Sequence, residues 1–464
     1  MSDGSGGAAG VMDRLAKHCI TSRSSAATPE RVQRKAGLHT LDTLAAMASG
    51  SRLLAGEQGR RYVTTRSGGA TGPCTVVGAR HRTTPLYAAI ANGMAAHADE
   101  TDDSHAMSLT HPGCAVVPAA LAVAEDRGRT VGDLVRAVSA GYDVGCRYGR
   151  VINKGRGDVH RSGLSSHSVF GGTGAIAAAC VLHDFSEEEI GFAFSYYAQL
   201  ASGVTNWVRD GRHVLKAFVF AGMPASNAVL AADVVAAGWD GPPDPFTGDP
   251  NWPDALVDAP KEWDFFDDLG SRFEVEEATI KKYSVGSPSQ AAVEAAVELT
   301  AGTALDPGRI RRITIQLPAD SAGVVDGRHM PSINVQYLVA ATLTRGAFSF
   351  ALAHDEEYFR SPTVAGLLER TTLVPDPALE GTRFAELTVE VDGEDAPRRR
   401  RVEDVQGTPR NPMSDEQVVA KAMELLAPVT GQGRAEQVVQ LVTECAEVPV
   451  SELGALLAEG EPTP

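Results

Sequence analysis

Between His97 and Gly113 the chain concentrates groups that could do acid–base chemistry. Four carboxylates (Asp99, Glu100, Asp102, Asp103) and three imidazoles (His97, His105, His111) fall within fifteen residues. Apolar, Ala-rich sequence with helical spacing flanks them, residues 85–96 before and 114–124 after. A solvated acidic loop ordinarily has polar flanks, so this cluster is expected at or inside a core boundary. Buried titratable groups must be paired, hydrogen-bonded or chemically used. A catalytic or ligand-binding site is therefore the favoured reading, and a structural network the alternative. His111 suits proton transfer because its reference pKa lies near working pH. Asp102 and Asp103 are expected to orient His111 or to cap the helix that follows.

Other side chains stand in settings that point the same way. Lys216 interrupts an apolar helical run, residues 214–220, where an ammonium is costly without an anionic partner. His167 precedes the Gly-rich start of a small-residue helix, Gly171-Gly-Thr-Gly174, and backbone N–H groups at such a start favour anions. Arg161, Arg209 and Arg212 are possible carboxylate clamps, each with a surface role as its alternative. Asp99, Asp102, His105 and His111 include metal-ligand types, but their spacing fits no named motif. The Gly171–Gly174 run lacks both a preceding long strand and a following Gly-Lys-Ser/Thr, which argues against a nucleotide-binding loop.

The elements that must position these groups are mostly helical. Residues 1–10 are Ser/Gly/Ala-rich and expected to be disordered. Helical spacing covers residues 11–55, with Thr28 a candidate cap ahead of Pro29. It resumes over 85–96, 116–125 and 131–148, the last capped by Thr130. After a Gly/Arg/Ser-rich loop at 153–166 it covers 175–182, 186–201 and 217–238, and a Pro/Asp/Trp-rich loop spans 241–263. The period then changes. Residues 312–317 and 385–391 alternate with a period of 2, the second ending at Asp392-Gly393, which indicates strands. Helical stretches at 289–299, 334–343 and 363–370 lie among them. Ser414 and Gln417 form a capping box for the helix that follows. The fold class is mainly α: a large all-helical domain (11–271 and 409–464) interrupted by a smaller α+β domain (272–408).

Composition narrows the partners. With 42 Lys and Arg against 59 Asp and Glu the formal charge is −17, which argues against nucleic acid or an anionic membrane. The six cysteines are scattered, with no paired spacing, and read as reduced. The start shows no signal-peptide pattern and no apolar run reaches membrane-spanning length, so a cytoplasmic location is expected.

The run His97-x-x-Glu100-x-Asp102-Asp103-Ser104, with Thr110-His111-Pro112-Gly113 after it, resembles the MmgE/PrpD family of 2-methylcitrate dehydratase, cis-aconitate decarboxylase and iminodisuccinate epimerase. The resemblance continues in order through Gly171 and Gly174-Ala175, Ala201-Ser-Gly203, Lys216, Lys281-Lys-Tyr283 and Val335-Gln-Tyr337. It implies a helical domain with an α+β lid, a homodimer, cofactor-free chemistry and a small polycarboxylate substrate. By position it implies His111, His167, Lys216, Lys281 and Tyr337 as catalytic, and Glu100, Asp102, Ser104 and Arg161 as substrate-binding. Glu100 and Ser104 replace the family's usual Asp and Thr. A second pocket His would fall near Ser165, with His167 the nearest candidate, and a lid His would fall near Gly286, where none exists. Lys216 stands one residue further from Gly222 than the resemblance implies. The expected activity is a lyase, by loss of water or of carbon dioxide. The alternatives are an epimerase in the same pocket and a non-catalytic binding protein, and the expected site would lie where Lys281 meets Lys216 and His111.

Overall fold

How closely helices approach here is set by residues with little or no side chain. The computed structural model describes residues 8–66, 71–153 and 158–458. The chain is mainly helical and divides into two compact units, one of residues up to 98, 102–279 and from 414 onward, the other of 99–101 and 280–413. The expectation of disorder for residues 1–10 falls mostly on 1–7, outside the described residues. Residues 8–10 form a turn leading into the first helix.

The first unit contains α1 (Val11–Thr21), α2 (Glu30–Gly50), α3 (Leu54–Arg66), α4 (Pro85–Ala96), α5 (Pro112–Asp126), α6 (Val131–Asn153), the single turn α7 (Asp158–Arg161), α8 (Ser166–His183), α9 (Glu187–Leu200), α10 (Val214–Ala217) and α11 (Met223–Ala236). Short strands β1 (Cys74–Thr75) and β2 (Arg82–Thr83) pair before α4. The predicted flanks of the acidic run are thus α4 and α5, and both are buried along most of their length. Thr130 caps α6 as expected, its hydroxyl accepting from Asp133 N at 3.1 Å, and the Ser414–Gln417 box caps helix Asp415–Thr430. Thr28 does not cap: α2 begins after Pro29, without a side-chain cap. The loop at 241–263 holds one short helix, Trp252–Leu256, whose indole stacks on Phe246.

α6 and α8 meet where a Cβ on Gly174 would lie 2.5 Å from the Gly141 carbonyl oxygen. The small-residue composition of α8 therefore permits the crossing and any larger side chain would push it apart.

Between α10 and α11 the helix takes one π turn, Phe218–Gly222. A π turn holds one more residue than an α turn. The turn lets Gly222 sit against α4, where a Cβ on Gly93 would lie 2.8 Å from Gly222 Cα. Contrary to the sequence reading, this continuous Val214–Ala236 helix is long and apolar enough to cross a membrane by composition. However, 67% of its most apolar window is buried inside the unit, as in a core helix.

In the second unit, β3 (Ile310–Pro318), β4 (Thr371–Asp376), β5 (Ala385–Val391) and β6 (Arg398–Val402) form one sheet in the order β4-β3-β5-β6. β3 pairs parallel with β4 and antiparallel with β5. Ile313, Ile315, Leu317, Leu387 and Val389 pack from the sheet into the core beside helices Gln290–Thr300 and Val335–Arg345. The two strands read from alternation are the central ones. The two that were missed are edges, and β6 carries four arginines, of which Arg398, Arg400 and Arg401 pair with Glu394, Glu298 and Glu403. Charge on an edge strand discourages pairing with other chains and hides the strand signal.

Residues 272–279 belong to the helical unit because ion pairs hold them there. Glu274, fully buried, accepts from Arg150 and Arg272 at 2.8 Å each and lies 3.1 Å from His105 Nε2. Backbone bonds between Ser104 and Thr279 extend the same tether. Burial alone would raise the Glu274 pKa, but His105, Arg150 and Arg272 lower it from 4.5 to about 2. A depressed carboxylate pKa contributes stability above pH 4.5 that is lost as pH falls through about 2. Glu274→Gln should therefore cost roughly 2 kcal/mol at neutral pH, a deficit that shrinks on acidification, as urea unfolding at several pH values would record.

Candidate active site

The site in the helical unit is built on the loop that leaves α4 and enters α5. His97 is the residue that ends α4, and His111 stands at the N-cap of α5 with Pro112 in the first helical position. The loop between them is held by two consecutive, fully buried carboxylates that serve different neighbours. Asp103 accepts from Gly113 N at 3.0 Å, from the Tyr142 hydroxyl at 2.6 Å and from His39 Nδ1 at 3.0 Å. Burial lowers the His39 pKa, so the neutral ring donates and the Asp103 charge is satisfied by dipoles. Asp102 takes the other side, with Oδ2 at 2.9 Å from His97 Nδ1 and 3.3 Å from His111 Nδ1. One Asp thus orients an imidazole and the other caps α5.

The His97 bond fixes a tautomer. A carboxylate only accepts, so His97 carries its proton on Nδ1 and leaves Nε2 with a free lone pair. Burial lowers the His97 pKa, with Lys216 and His111 adding to the effect and Asp102 opposing it. The ring is therefore neutral at physiological pH.

Three histidines gather around Phe220, which the π turn carries into the unit, and a fourth, His213, stands beside His97. His167 stacks on the Phe220 ring at 3.7 Å and 13°, and His97 stacks at 4.6 Å and 17°. His111 lies 5.1 Å from His97 and 5.2 Å from His167, and His213 lies 5.1 Å from His97, all between ring centroids. The Lys216 ammonium sits 5.0 Å from the Phe220 centroid and 5.6 Å from that of Trp207. Three of these imidazoles stand at helix starts: His111 before α5, His167 in the first turn of α8, and His213 before the Val214–Ala236 helix. Exposed N–H groups and aligned dipoles make each start electropositive, and Lys216 adds a full charge. Within a chain of net charge −17, this is a local setting for carboxylates.

Sequence reasoning brought His111, His167, Lys216 and Asp102 forward, and the structure brings these four together. Ser104 is half-buried and bridges to Thr279 through its backbone. Arg161 is exposed in the single turn α7. In the α+β unit, Lys281 is buried and its ammonium donates to the Glu100 carbonyl at 2.9 Å, with the Glu100 carboxylate at 3.7 Å. Tyr337 lies in that unit's core, its hydroxyl donating to Leu352 O at 2.8 Å.

Three histidines were missed or undervalued. His97 was noted only as part of the acidic run. His354 pairs with Asp99 at 2.9 Å inside the α+β unit; burial alone would lower its pKa, but Asp99 raises it. His213 is buried with φ 60° and ψ 15°, a left-handed conformation that costs a non-glycine residue on the order of 1 kcal/mol. The signal for it was its position three residues before Lys216, on the same face of the coming helix.

Among the described residues of this unit, His97, Asp102 and Cys114 offer ligand atoms within 4.8 Å of one another. Asp102 already pairs with His97, and the Cys114 thiol donates to His111 O at 3.2 Å. His105 and Asp99, from the metal set considered in the sequence, are engaged with Glu274 and His354 instead.

Residues 13–264 match the family model of the MmgE/PrpD N-terminal domain, and residues 283–445 that of the MmgE/PrpD C-terminal domain. The chain belongs to the MmgE/PrpD family. This family includes dehydratases and decarboxylases. Among curated relatives, the cis-aconitate decarboxylases of Aspergillus terreus and of its strain NIH 2624 / FGSC A1156 are each 30% identical over 184 residues. That stretch covers 38% of this chain and 36% of each relative, so the match spans little more than a third of their length. This MmgE/PrpD chain places His167, not the buried Ser165, within reach of His111.

The core setting of Tyr337 carries a stability test. With its hydroxyl bonded inside the core, Tyr337→Phe leaves the Leu352 carbonyl short of a donor. It should lower stability by about 1 kcal/mol in urea unfolding.

Proposed function

We propose that this protein is a lyase that removes water or carbon dioxide from a small polycarboxylate by general acid–base catalysis. The observation that carries the reading is the pairing of His111 and His167, 5.2 Å apart at the starts of α5 and α8, beside Lys216. In this reading Lys216 and the helix N-termini hold the substrate carboxylates. His111, steadied by Asp102, exchanges a proton with the carbon next to a carboxylate, and the electropositive surroundings stabilise the enolate that develops. His167, stacked on Phe220, binds a second carboxylate or protonates the departing group. The same ring stack sets apolar surface beside these imidazoles, which keeps the dielectric low and strengthens each charge contact. The relatives named as cis-aconitate decarboxylases support trying that substrate first.

Incubation with cis-aconitate, citrate, 2-methylcitrate and iminodisuccinate, followed by mass spectrometry, tests the reading. Loss of 18 or 44 mass units from one of them is expected, that is, of water or carbon dioxide, and turnover of none would overturn the proposal. His111→Ala should lower kcat by roughly 10²–10⁴-fold, the usual worth of a proton-transfer group, with little change in Tm. Because the side chains assigned here supply the proton transfer themselves, turnover should survive exhaustive chelation. Loss restored by Zn²⁺ or Mg²⁺ would show that a metal takes part.

A further inference from the structure

A hydro-lyase step needs two proton-transfer groups, one to take a proton from carbon and one to deliver a proton to the departing hydroxide. A carboxy-lyase step needs one donor for the carbon that loses carbon dioxide. Under the lyase reading His111 takes the first task and His167 either binds a second carboxylate or protonates the departing group, so a site in which His167 binds needs a further donor. The helical unit holds a second imidazole pair that this account does not use. His97 is pinned through Nδ1 by Asp102, and its Nε2 is buried without a hydrogen-bond partner among the described residues. His213 faces it at 5.1 Å between centroids, with a ring nitrogen of each within 4.8 Å of the other.

Three observations on His213 converge. Its backbone is held at φ 60°, where glycine or asparagine would be relaxed. Its side chain is 3% exposed, though it is polar and begins a helix. It lies one helical turn before Lys216, so whatever anion the ammonium binds lies near this imidazole too. A strained, buried titratable residue at a helix start beside a fixed imidazole is the pattern of a working group, since a structural role would be filled without the strain.

We propose that His213 is a second proton-transfer residue of this site, with His97 and Asp102 as the relay behind it. This rests on the lyase reading. In the dehydration form, neutral His111 takes the C–H proton and the electron pair enters the enolate. The pair then expels the hydroxyl as imidazolium His213 gives it a proton, so water leaves. His97 Nε2 stands next to His213 as the neutral acceptor through which the two rings re-equilibrate their protons. In the decarboxylation form, the C–C pair stays on the substrate carbon as carbon dioxide departs. His213 then protonates that carbon and is recharged from solvent. Both forms balance without an added oxidant or reductant.

Chemical rescue tests this with the polycarboxylate that the wild-type enzyme turns over. His213→Gly removes the imidazole and suits the left-handed backbone, so relief of strain offsets part of the packing lost and the variant should still fold. The expected result is a fall in kcat of roughly 10²–10³-fold, KM little changed, and recovery of kcat on adding free imidazole. His213→Asn, which also accepts this backbone, controls for the flexibility of glycine and should lose kcat to the same degree. Wild-type kcat in both variants would overturn the assignment. So would a loss that imidazole does not restore, or one confined to KM, because either would make His213 a structural or binding residue. An inactive wild-type enzyme would remove the lyase reading and this inference together, whereas the other outcomes remove only this one.

Discussion

Two adjacent buried carboxylates, Asp102 and Asp103, are what the helical unit depends on. A carboxylate taken out of water costs several kcal/mol unless donors surround it. Both stand fully buried between two apolar helices, so each dictates what must be near it. Asp103 collects the α5 amide of Gly113, the α6 phenol of Tyr142 and the α2 imidazole of His39. It thereby fixes three helices to one loop. Asp102 turns the other way and is shared by His97 and His111. Scaffold and site are joined at one peptide bond, so a shift in the helices is felt at the imidazoles.

The second dependence is steric. Phe220 reaches the histidines only because the helix beyond Lys216 takes a π turn, and that turn fits only because Gly93 and Gly222 let the backbones approach. The aromatic ring then separates His97 from His167, stacking on both. A flat apolar partner on each imidazole restricts its rotation without competing for its nitrogens. This is how a site keeps ring orientation and still leaves lone pairs for chemistry.

Electrostatically the protein works against its own net charge. A surplus of acidic residues gives a field that repels anions at long range. Within the unit, three helix starts and Lys216 produce a short-range positive region. Helix-terminal potential fades within a turn, so selectivity for carboxylates is exercised only by a molecule already inside. The buried Glu274 with its two arginines and His105 does a separate job, neutralising charge where the 272–279 segment is tied down.

The sequence alone determined the helical class, the central strands β3 and β5 and the two apolar flanks of the acidic run. These follow from local rules: period, capping chemistry, and the cost of polar groups in apolar runs. What tertiary structure decided was the work of side chains whose partners are far away in the chain. Asp103 finds His39 and Tyr142, His97 finds His213, and Asp99 finds His354. Tyr337 likewise turns its hydroxyl to a backbone carbonyl of its own unit. No spacing rule encodes such pairs, because a hydrogen bond is chosen by distance and burial after the helices have packed. The edge strands stayed hidden for the complementary reason: solvent on one side relaxes the alternation by which a strand is read.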